Sequence, residues 1–378
     1  MHKLLRQFCM LKDTRWWLAT CCLPCLLLLS SCSFPGLVST SAQLPPESHK
    51  QVTLHLPATK FPQDEGAHND LSEWWSYGGH LEAIDSTGRP HQYSFELAIS
   101  QELRSDLPPV YPAQFVISDI TRGEFHSAQQ SISKLYGNNT ANTATKGIDV
   151  QSGSWSIQGL DGKDHLFAAM NDYSIKFNLT GVKPLTLHNV NGLLNYGTEG
   201  FSYYYSRTRM AVAGTIIDHH QTLQVTGLAW MDHRWGNFIT LSNESKDWYG
   251  LQLSNNTELM IYIMHDATGA ITATYASYVD AAGNADNLPP TALGTTVLGQ
   301  WTSKVTGITY PSGWRLDINT PSLQATLMVM PISQNQEVTN SSTSNASWEG
   351  GVGVQGQMNG NAINGQGCVE LTGYSKAS

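Results

Sequence analysis

The stretch Thr226–Asn237, TGLAWMDHRWGN, sets an acid, a histidine and an arginine between two tryptophans. Asp232 carries the most definite chemistry. A carboxylic acid in apolar surroundings keeps its proton beyond the usual carboxylate range and can donate it. The ring faces of Trp230 and Trp235, with Tyr203 and Tyr205 upstream, favour a nearby cation. His233 is either a proton shuttle or a plain hydrogen-bond partner of its neighbours. In an extended strand Trp230, Asp232 and Arg234 share one face, and Met231, His233 and Trp235 share the other. Asp232 therefore faces a cavity beside Trp230, or pairs with Arg234, Arg207 or Arg209. An ion pair would keep it charged and leave it a structural role at an interface.

Two further clusters surround this one. Glu73-Trp74-Trp75 places an acid beside two large rings that point to opposite faces when extended, one suited to plug a barrel and the other to border a cavity. Glu73 is suited to orient a ligand or to bind an arginine. In Tyr203-Tyr204-Tyr205-Ser206-Arg207 the residues Tyr203, Tyr205 and Arg207 are in phase unless a bulge intervenes. Asp64, His68 and Glu73 are metal-capable, but their spacing matches no metal motif. Neither a metal nor an organic cofactor is expected. A nucleophile elbow, a phosphate loop and a dinucleotide fingerprint are all missing from the sequence.

The elements that hold these residues read as strands. From Tyr77 onward the pattern has a period of two, cut by turn signals such as Asp161-Gly162, His219-His220 and Ser254–Thr257. Gly123–Lys134 reads as irregular, Val297–Tyr310 as one strand-like run around Trp301, and Gln334–Ser347 as a polar loop. Trp348–Gln357 and Ile363–Thr372 read as a closing strand pair. No long amphipathic helix emerges, so the expected fold is all-β, built from barrels or sandwiches. The expected divisions are a signal peptide over 1–31, a tether over 32–50, and β-domains over 51–240 and 241–378.

The chain has 378 residues, 13% of them charged, 10% aromatic, and a net charge of −9. An acidic body without a basic block argues against nucleic acid as a partner. The N-terminus is basic up to Arg15, then apolar over Trp16–Leu29, and runs into Leu29-Ser30-Ser31-Cys32. That order matches a lipoprotein signal whose Cys32 is lipidated, which would make the protein an extracytoplasmic, membrane-anchored bacterial lipoprotein. Cys368 is then the one cysteine left in the folded body, and no internal disulfide is expected.

Several patches together resemble the AttH/CrtC-like lipocalin superfamily, which includes carotenoid 1,2-hydratases. They are Pro62…Asp64…His68 with Glu73–Gly79; Tyr203–Arg209 with Gly214; Gly227–Gly236; Trp248-Tyr249 with Glu258–Tyr262; and Trp348-Glu349-Gly350 with Val369–Tyr374. The resemblance implies two consecutive lipocalin-like antiparallel β-barrels around an apolar ligand of terpenoid, polyene or polyketide type. It also implies cofactor-independent hydration, cyclisation or isomerisation, with Asp232 and His233 catalytic. Glu73, Trp74, Trp75, Tyr203, Tyr205, Arg207, Trp230, Arg234 and Trp235 would then contact the ligand. The alternative is a surface carrier or attachment protein without turnover.

Overall fold

A computed structural model describes residues 56–105, 107–133, 147–196, 200–238, 244–339 and 346–375. The expected signal peptide, Cys32 and the expected tether lie outside the described residues, as does the loop expected at 138–145. The first sheet holds twelve strands: β1 (Ser72–Ile84), β2 (Pro90–Arg104), β3 (Leu107–Asp119), β4 (Glu124–Ser133), β5 (Ile148–Ser152), β6 (Trp155–Leu160), β7 (Lys163–Ala169), β8 (Tyr173–Gly181), β9 (Thr186–Leu187), β10 (Leu193–Asn195), β11 (Gly200–Asp218) and β12 (Gln221–Phe238). The second holds β13 (Ser245–Leu253), β14 (Glu258–His265), β15 (Ile271–Val279), β16 (Ala285–Asn287), β17 (Leu293–Val297), β20 (Trp314–Asn319), β21 (Gln324–Pro331), β22 (Glu337–Thr339), β23 (Ala346–Met358) and β24 (Asn361–Thr372). Between them in sequence, β18 (Gln300–Thr302) and β19 (Thr309–Pro311) form a separate hairpin.

Both large sheets are antiparallel and curl into near-closed barrels. The order in the first is β4-β3-β2-β1-β12-β11-β8-β7-β6-β5, so the long strands β1, β12 and β11 lie side by side at its centre. The order in the second is β16-β15-β14-β13-β24-β23-β21-β20-β17. Three expectations fail locally. Gly123–Lys134 contains the regular strand β4, whose polar side chains mark a half-solvated edge strand rather than a loop. The run Val297–Tyr310 is broken into β18 and β19, and Gln334–Ser347 contains β22, which pairs with β23. The turns follow their chemistry. Asp161-Gly162, His219-His220 and Asn359-Gly360 each put two consecutive residues at positive φ, as two-residue hairpins require.

Each barrel has its own apolar core, and a third cluster lies where the sheets meet: Leu194, Tyr196, Tyr204, Trp230, Trp248, Met260, Tyr262, Met264, Ala273 and Tyr275. Strands at this junction lose the in–out alternation. Ser202–Met210 of β11, Ala229–Gly236 of β12, Asp247–Leu253 of β13 and Glu258–Met264 of β14 are buried at every position. One face fills a barrel and the other meets the opposite sheet. Gly78 permits close approach at this point, because a Cβ there would lie 3.0 Å from Cys368 Sγ.

Polar contacts lock the sheets together. Glu258, fully buried, accepts from Arg209 Nε at 2.5 Å and Lys183 Nζ at 2.8 Å, reaching from the first sheet to the second. Removing the carboxylate strands two buried cations, which costs several kcal/mol. Glu258→Gln is expected to destabilise the fold by about 3 kcal/mol in urea unfolding, and Met328→Lys on the exposed side of β21 by less than about 0.5 kcal/mol.

Candidate functional site at the barrel junction

β12 divides the expected site residues into two groups. Its register with β1 pairs Trp75 with His233 and Ser76 with Asp232. Glu73, Trp75, Tyr203, Tyr205, Arg207, His233 and Trp235 belong to the first barrel's side. Trp74, Trp230, Asp232 and Arg234 face the second sheet. The two groups therefore line different interiors, and Asp232 and His233 lie on opposite faces of β12.

Asp232 lies in the junction, 5% exposed. Its Oδ1 accepts from Trp230 Nε1 at 2.7 Å and from the Ser206 hydroxyl. Among the described residues, no arginine reaches it. Arg207 binds Glu65 at 2.5 Å, Arg209 binds Glu258, and Arg234 binds Ser202 Oγ at 2.9 Å and the Tyr196 hydroxyl. The β11 register shifts between Arg207 and Met210. This bulge explains why Arg207 stays in phase with Tyr205 while Arg209 turns towards the second sheet. Burial outweighs the hydrogen bonds and pushes the Asp232 carboxyl up to about 6.

Arg234 is enclosed by the rings of Trp74, Tyr196, Tyr204, Phe238 and Tyr262, its Cζ 5.1–5.8 Å from their centroids. Trp74 thus turns its ring face to a guanidinium. The apolar wall beside Asp232 is made instead by Trp230 and Trp248, edge to face at 5.9 Å.

A hydrogen-bonded chain runs from Asp232 to the surface. Ser206 Oγ lies 2.6 Å from His188 Nε2, and His188 Nδ1 lies 3.0 Å from Ser277 Oγ. Ser277 Oγ in turn lies 3.4 Å from the side-chain amide of Asn287, an exposed residue. His188 is fully buried, and burial with the charge of Arg234 lowers its pKa to about 3. It is neutral, so one ring nitrogen donates and the other accepts.

Three glutamates share the same space. Carboxyl oxygens of Glu96 on β2, Glu349 on β23 and Glu370 on β24 lie within 4.8 Å of one another. Burial pushes Glu96 up to about 7. Burial, then repulsion from Glu96 and Asp232, raises Glu370 well above the usual range, and burial with the charges of Glu96 and Glu370 does the same to Glu349. Glu96, Glu370, Cys368 and Ser76 keep partial accessibility at the junction. Sequence reading missed these acids, His188 and Ser277. Glu349 and Glu370 are the single charged residues of their strands, which was the available signal. His188 and Glu96 offered none, because their partners come from distant strands.

On the other face of β12, Glu73 Oε1 lies 2.7 Å from both His68 Nδ1 and His233 Nε2. Burial alone would raise the Glu73 carboxyl, but the bonds from His233 and His68 hold it below its ordinary value. Burial lowers His233 to about 4, against the pull of Glu73.

Against this geometry, a family model described as AttH-like matches residues 53–374. The chain belongs to the AttH-like family. It is 24% identical to kievitone hydratase of Fusarium solani subsp. phaseoli over 246 residues, 62% of this chain and 67% of that one. An AttH crystal structure from Nitrosomonas europaea superposes with a TM-score of 0.74 at 27% identity, covering 85% of this chain and 98% of that one. Kievitone hydratase of Nectria haematococca superposes with a TM-score of 0.66 at 18% identity, covering 88% and 98%. This last likeness is one of fold.

Raised carboxyl pKa values have a stability signature. Between the ordinary 3.8 of Asp232 and its folded value of about 6, the folded state binds more protons than the unfolded one. Its contribution is therefore complete below about pH 4 and is lost as pH rises past 6. Unfolding free energies of the native chain and Asp232→Asn, measured from pH 4 to 8, are expected to show the native chain losing on the order of 2 kcal/mol relative to the variant. A difference that stays constant with pH would mean that Asp232 is ionised throughout.

Proposed function

We propose that the chain is a cofactor-independent enzyme that protonates a carbon–carbon double bond of an apolar small molecule, of terpenoid, polyene or polyketide type, in the space between the barrels. The observation that carries this reading is the Asp232 carboxyl, buried, hydrogen-bonded by Trp230 and Ser206, and reached by no arginine among the described residues. Asp232 gives its proton to one alkene carbon and becomes a carboxylate, and the other carbon becomes cationic. Water adds to that carbon, and the proton that the resulting oxonium releases leaves through solvent. Where the cation is captured by another double bond of the substrate instead of water, the same acid starts a cyclisation. The chain Ser206–His188–Ser277 leads from Asp232 towards Asn287 and solvent, and offers the route by which the acid regains its proton. The similarity to kievitone hydratase supports hydration as the reaction class. The leader ending at Leu29-Ser30-Ser31-Cys32 supports an extracytoplasmic protein held at a membrane surface through lipidated Cys32.

In a panel of polyene, terpenoid and polyketide compounds, Asp232→Asn is expected to lower turnover by about 10²–10⁴-fold, with folding and ligand binding retained. His188→Gln is expected to slow turnover less and to shift its pH profile. Ligand binding without turnover, unchanged in Asp232→Asn, would establish a carrier. Intact-mass analysis of the protein from its own membrane is expected to find the chain beginning at an acylated Cys32, and an unmodified Cys32 would refute the anchor.

A further inference from the structure

We propose that His68, Glu73 and His233 form a binding site for a divalent transition-metal ion of the zinc class, on the first-barrel side of β12. The site is separate from the junction and stands independently of the chemistry proposed for Asp232.

The three ligand atoms come from three places in the chain: the segment ahead of β1, β1 itself and β12. His68 Nδ1 and His233 Nε2 each lie 2.7 Å from the same oxygen, Glu73 Oε1, and all three atoms fall within 4.8 Å. Two imidazoles and a carboxylate match the donor preference of zinc and disfavour calcium or magnesium, which take oxygen ligands. Around zinc, bond lengths near 2.0–2.1 Å set neighbouring ligands roughly 3.3 Å apart. The two 2.7 Å separations need to open by about 0.6 Å.

The surroundings hold the donors in place. The His68 ring stacks on Trp235 at 4.2 Å with parallel planes, and the His233 ring stacks on Trp75 at 4.7 Å. Neither imidazole can turn without losing its aromatic partner. The second nitrogen of His68 faces Asp64 Oδ1 at 3.7 Å, the carboxylate–histidine pairing that orients metal ligands. Glu73 Oε2 is held by the His68 backbone N–H at 2.7 Å, so Oε1 stays aimed between the rings. Tyr205, edge-on to His233 at 5.2 Å and within electrostatic reach of Glu73, carries a fully buried hydroxyl without a protein partner among the described residues. That hydroxyl is available to a water on the ion. His68 and Asp64 keep 20% and 27% of their side-chain surface open, which gives an ion a way in. Three protein ligands leave a coordination position for water or a small anion.

The test uses the full chain, stripped with chelator and dialysed against Zn²⁺, with bound metal counted by elemental mass spectrometry. The expected result is one tightly held Zn²⁺ per chain, undisturbed by excess Ca²⁺ or Mg²⁺. His68 is partly exposed, so His68→Gln should fold, and it is expected to weaken Zn²⁺ binding on the order of a hundredfold. Asp64→Asn, which removes only the orienting carboxylate, is expected to cost about tenfold. The surface pair His219 and His220 at a hairpin tip is a competing zinc ligand, so a double His219→Gln/His220→Gln variant must leave the tight ion in place. Co²⁺ loaded in place of Zn²⁺ is expected to give visible d–d absorption that His68→Gln abolishes. Zinc retained at full affinity in His68→Gln, zinc lost in the His219/His220 variant, or no tight zinc at all would each overturn the proposal.

Discussion

A strand buried on both faces is the constraint from which this structure follows. Along Ala229–Gly236 every side chain of β12 is out of water, so each residue must be complementary to one of two different interiors. The alternation of a strand then becomes a sorting device. Odd-numbered residues from Met231 to Trp235 are committed to the first barrel. Even-numbered residues from Trp230 to Arg234 are committed to the junction. A one-residue slip would exchange Asp232 for His233 and break both polar networks at once, so register and site are specified by the same contacts.

The two interiors solve opposite electrostatic problems. On the barrel side, a buried carboxylate at Glu73 is compensated by two imidazoles that hydrogen-bond to it. At the junction, Asp232 and three glutamates gather with neutral donors only, while the nearby cation Arg234 is held apart by hydroxyls and ring faces. Compensation lowers a carboxyl pKa, and crowding of uncompensated acids raises it. The same residue type is therefore a fixed charge on one face of β12 and a proton reservoir on the other.

Much of this is legible in the sequence. The period of two identifies the strands, and turn pairs such as Asp161-Gly162 locate the hairpins. Alternation alone is enough to place Asp232 on the same face as Trp230. The family patches lie on the junction strands or directly beside them, because those are the strands that must satisfy two environments. Long-range partners are not legible. Nothing local to Glu96 indicates that it meets Glu349 and Glu370 from another barrel, and nothing near His188 indicates Ser206 on one side and Ser277 on the other. Strand β4 is hidden for a different reason: an edge strand with solvent on one face carries too few apolar residues to announce itself.

The bulge in β11 has a bearing on how the chain folds. Where the register shifts between Arg207 and Met210, the backbone oxygens of Thr208 and Ala229 are met by the amide of Gln252 on β13, at 2.8 and 3.0 Å. The first sheet thus takes a donor from the second to complete its own main-chain hydrogen bonding. Until β13 docks, this kink is an unfinished piece of secondary structure. Cooperativity between the barrels then arises from the main chain as well as from side-chain packing, and the early-translated half reaches its final geometry only when the late-translated half arrives.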